Sequence, residues 1–300
     1  MRIGLGLPIA DPTILPEWAR RADAGPFSTL GLLDRLVYDN PEPLITLAAL
    51  AGITTRVNLQ TEVLLAPLRD TALLAKQAAT LHRLSGGRLI LGVGVGGRAD
   101  DHEASGTELR TRGRRLDEQL GLMRKLWAGA PYSDTCGPIG PSPGERRSTI
   151  APYGGTSSPR HTPDLGPELL FGGFQPAALE RVGRWGGGFL CAAPPSWAEG
   201  LIETARRSWR EHGRPGAPRV VAQMNAAIGP DSVVAQAASA MRAYYEFSGR
   251  ADSMVDAMIT SAAGIRSAIA QFADLGADEL ILYCYGTDPG QVDRIADIVG

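Results

Sequence analysis

Between Leu91 and Glu103 the chain carries its densest run of residues able to do chemistry: Gly92-Val93-Gly94-Val95-Gly96-Gly97, then Arg98, then Asp100-Asp101-His102-Glu103. The glycines fit G-x-G-x-x-G, by which a strand-to-helix turn brings backbone N–H groups against a pyrophosphate. That dinucleotide fold requires the turn to open a helix directly and an acidic residue about 20 positions on; here the acidic cluster intervenes. The other use of such glycines is to let the backbone at a strand end lie against a flat ligand that side chains would block. The acidic run has metal-binding chemistry, but adjacent positions converge on one ion only in a tightly curled loop, so a solvated acidic loop is expected. Four isolated histidines, and Cys136, Cys191 and Cys284 without a Cys-x-x-Cys, indicate neither a zinc site nor a disulfide framework.

The elements around these residues alternate short aliphatic runs with longer amphipathic ones, the pattern of parallel strands joined by crossover helices. The strand-like runs are Ile3–Ile9, Thr29–Asp34, Val57–Leu65, Arg88–Val95, Leu169–Gly172, Gly188–Ala192, Arg219–Ile228 and Glu279–Tyr285. Eight such runs close a (β/α)8 barrel, an α/β TIM-barrel fold that fits a single domain over residues 1–300. Helical periodicity is clearest in Thr71–Leu84, through Leu73, Leu74, Gln77, Ala78, Leu81 and Leu84, and in Arg114–Trp127, through Leu116, Leu120, Met123 and Trp127. Ser85-Gly86-Gly87 is a helix stop.

Residues 130–167 follow neither period and hold eight prolines and six glycines. They form an irregular insertion between strands four and five, read either as a lid over the active site or as a surface excursion. Ser232–Thr260 is a second non-barrel piece, helical in composition, with Tyr244, Tyr245 and Phe247 as core or as lining of the barrel mouth.

A net charge of −2 and the absence of long like-charge runs argue against nucleic acid as a partner. Apolar stretches stop well short of the ~18 residues a membrane span needs, and Met1-Arg2 leads straight into a strand. The protein is read as cytoplasmic.

From Gly52 to Trp127 the order of motifs is specific: Thr54-Thr55-Arg56-Val57-Asn58-Leu59-Gln60-Thr61-Glu62-Val63, Ala75-Lys76-Gln77-Ala78-Ala79-Thr80-Leu81, Leu84-Ser85-Gly86-Gly87-Arg88, Leu91 to Gly96, Gly106, then Arg114-Arg115-Leu116-Asp117-Glu118 and Leu126-Trp127. This succession resembles the luciferase-like monooxygenase family, (β/α)8 barrels that use reduced FMN or the deazaflavin coenzyme F420. The likeness continues through Phe171-Gly172-Gly173, Arg184 to Phe189 and Leu275 to Leu280.

The resemblance implies a site at the carboxyl ends of the strands. Asp34 and Arg35 would face the ring system; Arg35 stands where bacterial luciferase has a catalytic histidine, which puts luciferase-type chemistry in doubt. Arg35 would then hold an anionic substrate or the charged edge of a reduced flavin. The family's non-proline cis peptide falls at Glu62-Val63, making Glu62 a candidate general base, with an ion pair at the barrel mouth as its alternative. Gly94 and Val95 would lie along the cofactor. Gly172, Gly173, Phe174 and Gln175 would present N–H groups at a helix start to the phosphate. Val95 replaces a luciferase arginine there, and Arg98 is the nearby substitute. Tyr244, Tyr283 and Tyr285 are pocket candidates and His161 a lid residue. Phe27, Tyr38, Trp18 and Tyr244, if they face the pocket, favour an apolar or polycyclic, natural-product-like substrate.

Three functions follow. The first is a monooxygenase using reduced FMN from a separate flavin reductase, since the chain shows no NAD(P)H-binding domain. The second is an F420-dependent dehydrogenase or reductase moving hydride, and the third a non-catalytic flavin-binding barrel. The resemblance also implies a homodimer through helices near strands two and three.

Overall fold

The eight aliphatic runs become eight parallel strands whose sheet closes on itself. They are β1 (Arg2–Gly6), β2 (Thr29–Leu32), β3 (Asn58–Thr61, resuming as Leu64–Leu65), β4 (Leu89–Gly94), β5 (Glu168–Gly172), β6 (Gly188–Cys191), β7 (Arg219–Asn225) and β8 (Glu279–Tyr283). The barrel shuts where β1 pairs with β8, Gly4 opposite Ile281. This is a computed structural model, describing residues 1–9, 11–128 and 166–300. Strand pairing ends two to three residues before several of the aliphatic runs do, and those leftover residues build the rim. The 130–167 insertion is outside the described residues except at its end, and so is His161. Its flanks are placed: Gly166 packs on the Trp127 ring and lines a cleft with Arg2 and Asn58. Gly166 and Trp127 therefore sit at the amino ends of the strands, while the expected lid itself lies outside the described residues.

Alternate strand residues point to opposite faces. Leu5, Leu30, Leu59, Leu91, Phe171, Phe189, Val220 and Leu282 all pack outward and are buried under the helices. Helix Thr71–Leu84 begins at Asp70, whose carboxylate accepts the Leu73 N–H at 2.8 Å, and ends at the expected stop, with Gly86 and Gly87 at φ 66 and 86°. Its buried stripe is Leu74, Ala75, Ala78, Leu81 and His82. Leu73 and Leu84, expected on that face, are 57 and 68% exposed, because the stripe is turned by about one residue. The second helix starts earlier than its pattern shows, at Arg112, and runs to Trp127 with Leu116, Leu120, Met123 and Trp127 all buried. Ser232–Thr260 is helical as expected, in Asp231–Tyr245 and Ala251–Asp256.

Helices Pro176–Trp185 and Pro195–Glu211 approach closely at Gly183, where a Cβ would run into the Ser208 carbonyl and hydroxyl. For Gly183→Ala the clash costs ~3 kcal/mol and helix propensity returns ~1. The expected result is a net loss of about 2 kcal/mol, measured as a lower urea midpoint with an unchanged slope. A midpoint at or above wild type would refute this packing.

Candidate active site

Two clefts of similar size open at opposite ends of the barrel. The one at the amino ends, about 660 Å³, is polar and walled by Arg2, Arg56, Arg124, Arg214 and Arg219. The one at the carboxyl rim, about 600 Å³, is mainly apolar. Barrels of this class do their chemistry at the carboxyl rim, so the second is the candidate site.

Its floor is the break in β3. The Glu62-Val63 peptide is cis, and the bulge is held from behind by Asp34, which accepts the Leu65 N–H at 2.8 Å and is clasped by Arg69 at 2.9 and 3.0 Å. Gly94 and Gly172, at the ends of β4 and β5, flank Val63 so closely that a Cβ on either would strike its methyl groups. The opposite wall is Gly96, Gly97 and the turn Gly172–Gln175. Gly173 sits at φ 145°, which favours glycine, and the Gln175 side chain does not cap the helix that begins at Pro176. Pro176 has no N–H and those of Ala178 and Leu179 go to the Gln175 carbonyl, which leaves the Ala177 N–H and those of the turn before it for an anion.

Glu62, Val63, Gly94, Val95, Gly172, Gly173, Phe174 and Gln175 thus come together from three strand ends, as the sequence reading expects. Glu62 makes no ion pair among the described residues. Its Oε1 accepts from Gln60 Nε2 at 2.6 Å, and its Oε2 is buried without a partner. Burial pushes this carboxyl up to about 8, the nearby Glu279 adding to the effect and the Gln60 hydrogen bond opposing it. At neutral pH it holds its proton.

Other expected site residues lie elsewhere. Arg35 is 8% exposed and gives its Nε to Asp101 Oδ2 at 2.6 Å. Asp101, 1% exposed, also accepts the Leu36 and Val37 N–H groups at 3.0 and 2.8 Å. The acidic run is therefore no solvated loop: it is helix Ala99–Ser105, with Asp101 turned inward and His102 buried between Thr107 and the Val95 carbonyl. Among the described residues no cluster suits a metal ion.

Arg98, expected at the phosphate, instead pairs with Asp100 at 2.8 Å and stacks on Phe247, 3.9 Å from the ring centre. Tyr244, Tyr283 and Tyr285 are packed against one another, the last two at 0 and 2% exposure, and none lines the cleft. Trp18 and Phe27 are fully buried in the outer core and neither Tyr38 nor Tyr244 lines the cleft, so the aromatic argument for a polycyclic substrate loses all four of its rings.

The cations that do line the cleft are Arg112 and Arg181. Arg181 is committed, in two bonds of 2.9 Å to Asp117 and one of 3.0 Å to the Gly113 carbonyl. Arg112 is freer: its Nε is buried without a partner, and Nη1 reaches only the Leu109 carbonyl. A signal for it was present in the sequence. Arg112, Arg114 and Arg115 crowd a helix start with no acidic residue in the first turn, where the helix dipole disfavours cations and an anion would offset the cost.

A family model described as luciferase-like monooxygenase matches residues 4–299. An uncharacterized protein of Mycobacterium tuberculosis is 29% identical over 236 residues, 71% of this chain and 77% of that protein. Among solved structures, an F420-dependent secondary alcohol dehydrogenase in complex with an F420-acetone adduct superposes with a TM-score of 0.77 at 19% identity, covering 99% of this chain and 97% of that one. The oxygenating constituent of 3,6-diketocamphane monooxygenase from Pseudomonas putida, in complex with FMN, gives 0.75 at 16% identity, covering 100 and 96%. At these identities the structures share the fold.

Proposed function

The chain belongs to the luciferase-like monooxygenase family, and from that premise we propose that it is an oxidoreductase in which molecular oxygen, activated by reduced FMN from a separate reductase, oxidises a small organic substrate. The observation that carries this reading is the cleft itself. A flat apolar slot with the Glu62-Val63 bulge as its floor leads to a helix start left open for an anion. Two groups without protein partners fit such an occupant: Glu62 Oε2 at the ring end and Arg112 Nε at the phosphate end.

Reduced FMN bound there would supply two electrons to oxygen, the substrate supplying the other two as one oxygen atom goes to it and one to water. The chain's own residues do the rest. Val63, Gly94 and Gly172 shape the floor, the Gly173–Gln175 N–H groups and Arg112 hold the phosphate, and the apolar walls exclude water. Glu62 holds a proton at Oε2, ready to give to an oxygen or nitrogen in the slot.

A second reading, hydride transfer with coenzyme F420, is favoured by the same acid: a carbonyl receiving hydride needs one proton, and Glu62 is placed to provide it. Pairing of two copies through helices Pro43–Ala51 and Thr71–Leu84 would cover Ile45 and Leu73, exposed at 72 and 57%.

The purified protein is mixed with reduced FMN and reduced F420 in turn, with binding and oxygen uptake recorded. Tight FMN binding with oxygen uptake is expected. F420 binding without oxygen uptake supports the second reading, and FMN affinity with no turnover of any substrate supports the non-catalytic barrel. Arg112→Ala is expected to weaken FMN about ten-fold or more, the worth of a charge-assisted bond, and to leave riboflavin, which has no phosphate, unaffected. Equal losses for the two ligands would remove Arg112 from the phosphate site.

A further inference from the structure

Part of the barrel's interior departs from the usual stack of branched aliphatic side chains, although Ile90, Leu170, Leu190, Val221 and Ile281 share the same inner face. In-register residues of neighbouring parallel strands share a face, so the pairs Gly6 with Tyr283, Gly6 with Gly31, Gly31 with Gln60 and Thr29 with Asn58 define one surface. That surface is the inner one, where a Cβ on Gly6 would enter the Tyr283 ring and one on Gly31 the Glu62 carboxyl. Polar side chains consequently run down the barrel axis. Glu62 and Tyr283 lie under the cleft, Gln60 and Thr29 below them, and Asn58 and Glu279 toward the amino end.

Three of these side chains end in a buried oxygen with no partner: Thr29 Oγ1, Gln60 Oε1 and Glu62 Oε2; Tyr283 Oη is met by the Leu33 N–H. Buried oxygens of this kind are satisfied by internal water that bridges several of them. At the lower end Glu279, fully buried, accepts from Ser28 Oγ at 2.5 Å and pairs with Arg219. Ser28, Asn58 and Arg219 line the cleft at the amino ends of the strands. At the upper end the Gln60 amide occupies Glu62 Oε1, leaving Oε2 to carry the acid proton.

We propose that these groups and internal water form a proton relay along the barrel axis, from Glu62 beneath the cleft to the Glu279–Ser28 pair at the opposite end. The proposal rests on the reading of the rim cleft as the seat of a redox ring. Glu62 is only 5% exposed, and a ring on the bulge cuts it off from solvent on that side. An acid that gives a proton on each turnover must then be recharged from below.

In that step the O–H bond at Glu62 Oε2 breaks as its proton passes to the reacting atom. The carboxylate takes a proton from the adjacent water, and successive O–H transfers past Gln60 and Thr29 draw the replacement from bulk water at the amino-end cleft; no electrons move. The groups facing Glu62 are Gln60 on its own strand, Tyr283 and Glu279 from β8, and on β2 only Gly31.

Thr29→Val tests this, since it keeps the side-chain shape and removes the hydroxyl. The readout is hydrogen–deuterium exchange of the Glu62 acid, followed by its infrared C=O band and assigned by the loss of that band in Glu62→Gln. FMN binding is scored separately by fluorescence quenching. FMN-loaded Thr29→Val is expected to exchange at least roughly ten-fold more slowly than FMN-loaded wild type, while the two free proteins exchange alike. Equal rates in the loaded proteins overturn the relay. So does a crystal structure of the free protein with no ordered water in hydrogen-bond reach of Thr29 Oγ1 and Gln60 Oε1. Failure to bind FMN is instead a failure of the cofactor reading, and the crystallographic result then decides the relay by itself.

Discussion

Glu62→Gln is expected to match wild type in stability near pH 4.5 and to exceed it by on the order of 4 kcal/mol at pH 9. The cause is the carboxyl's burial, which raises its pKa from an ordinary 4.5 to about 8. Below both values the folded and unfolded chains are each protonated, and the group has no effect on the balance. Between them only the unfolded chain ionises, so wild-type stability falls with rising pH by about 1.4 kcal/mol per unit, and the loss is complete above pH 8. Glutamine does not ionise, and the difference between the two proteins isolates this group from every other carboxylate. Urea unfolding at half-unit pH steps measures it. Parallel stability curves would show that Glu62 is ionised in the folded protein, and its role as a proton donor would fall with them.

Asp101→Ala is expected to cost about 3 kcal/mol, because it removes the buried counter-charge of the Arg35 guanidinium. The partly exposed Asp100, whose Oδ2 lies 3.6 Å from Arg35 Nη2, remains as a weaker partner and holds the cost to the low end for a broken buried pair. Removing both charges, in Arg35→Met with Asp101→Leu, should recover about 2 kcal/mol of that loss as a coupling term in a double-mutant cycle. Simple additivity of the two single changes would mean that the pair is solvated. The result bears on function as well, since a residue expected to meet the ligand is here bonded to a helix, and the loop Leu36–Val37 hangs on the same carboxylate.

The largest misreadings trace to one physical fact: a side chain's direction depends on neighbours distant in sequence. Asp101 and His102 lie in a run that looks solvated, and a helix only 7 residues long turns them inward. Arg98 is close to the phosphate corner along the chain, yet Asp100 and Phe247 draw it away. Arg112, two residues before the helix pattern becomes visible, is the cation that reaches the cleft.

By itself the sequence determined the class of fold, the order of its strands and helices, the helix stop at Ser85–Gly87 and the glycine turns of the cleft, while the bulge at Glu62-Val63 was legible only through the family resemblance. These depend on signals carried within a few residues: alternation, helical period, and glycine where a side chain would collide. Tertiary structure alone decided which face of each strand turned inward and which charge met which. Those choices follow from register between strands up to 280 positions apart, as where Gly6 lies beside Tyr283. Closure of the barrel thereby put several polar groups, with Glu62 at their head, among the inward aliphatic side chains such as Ile281.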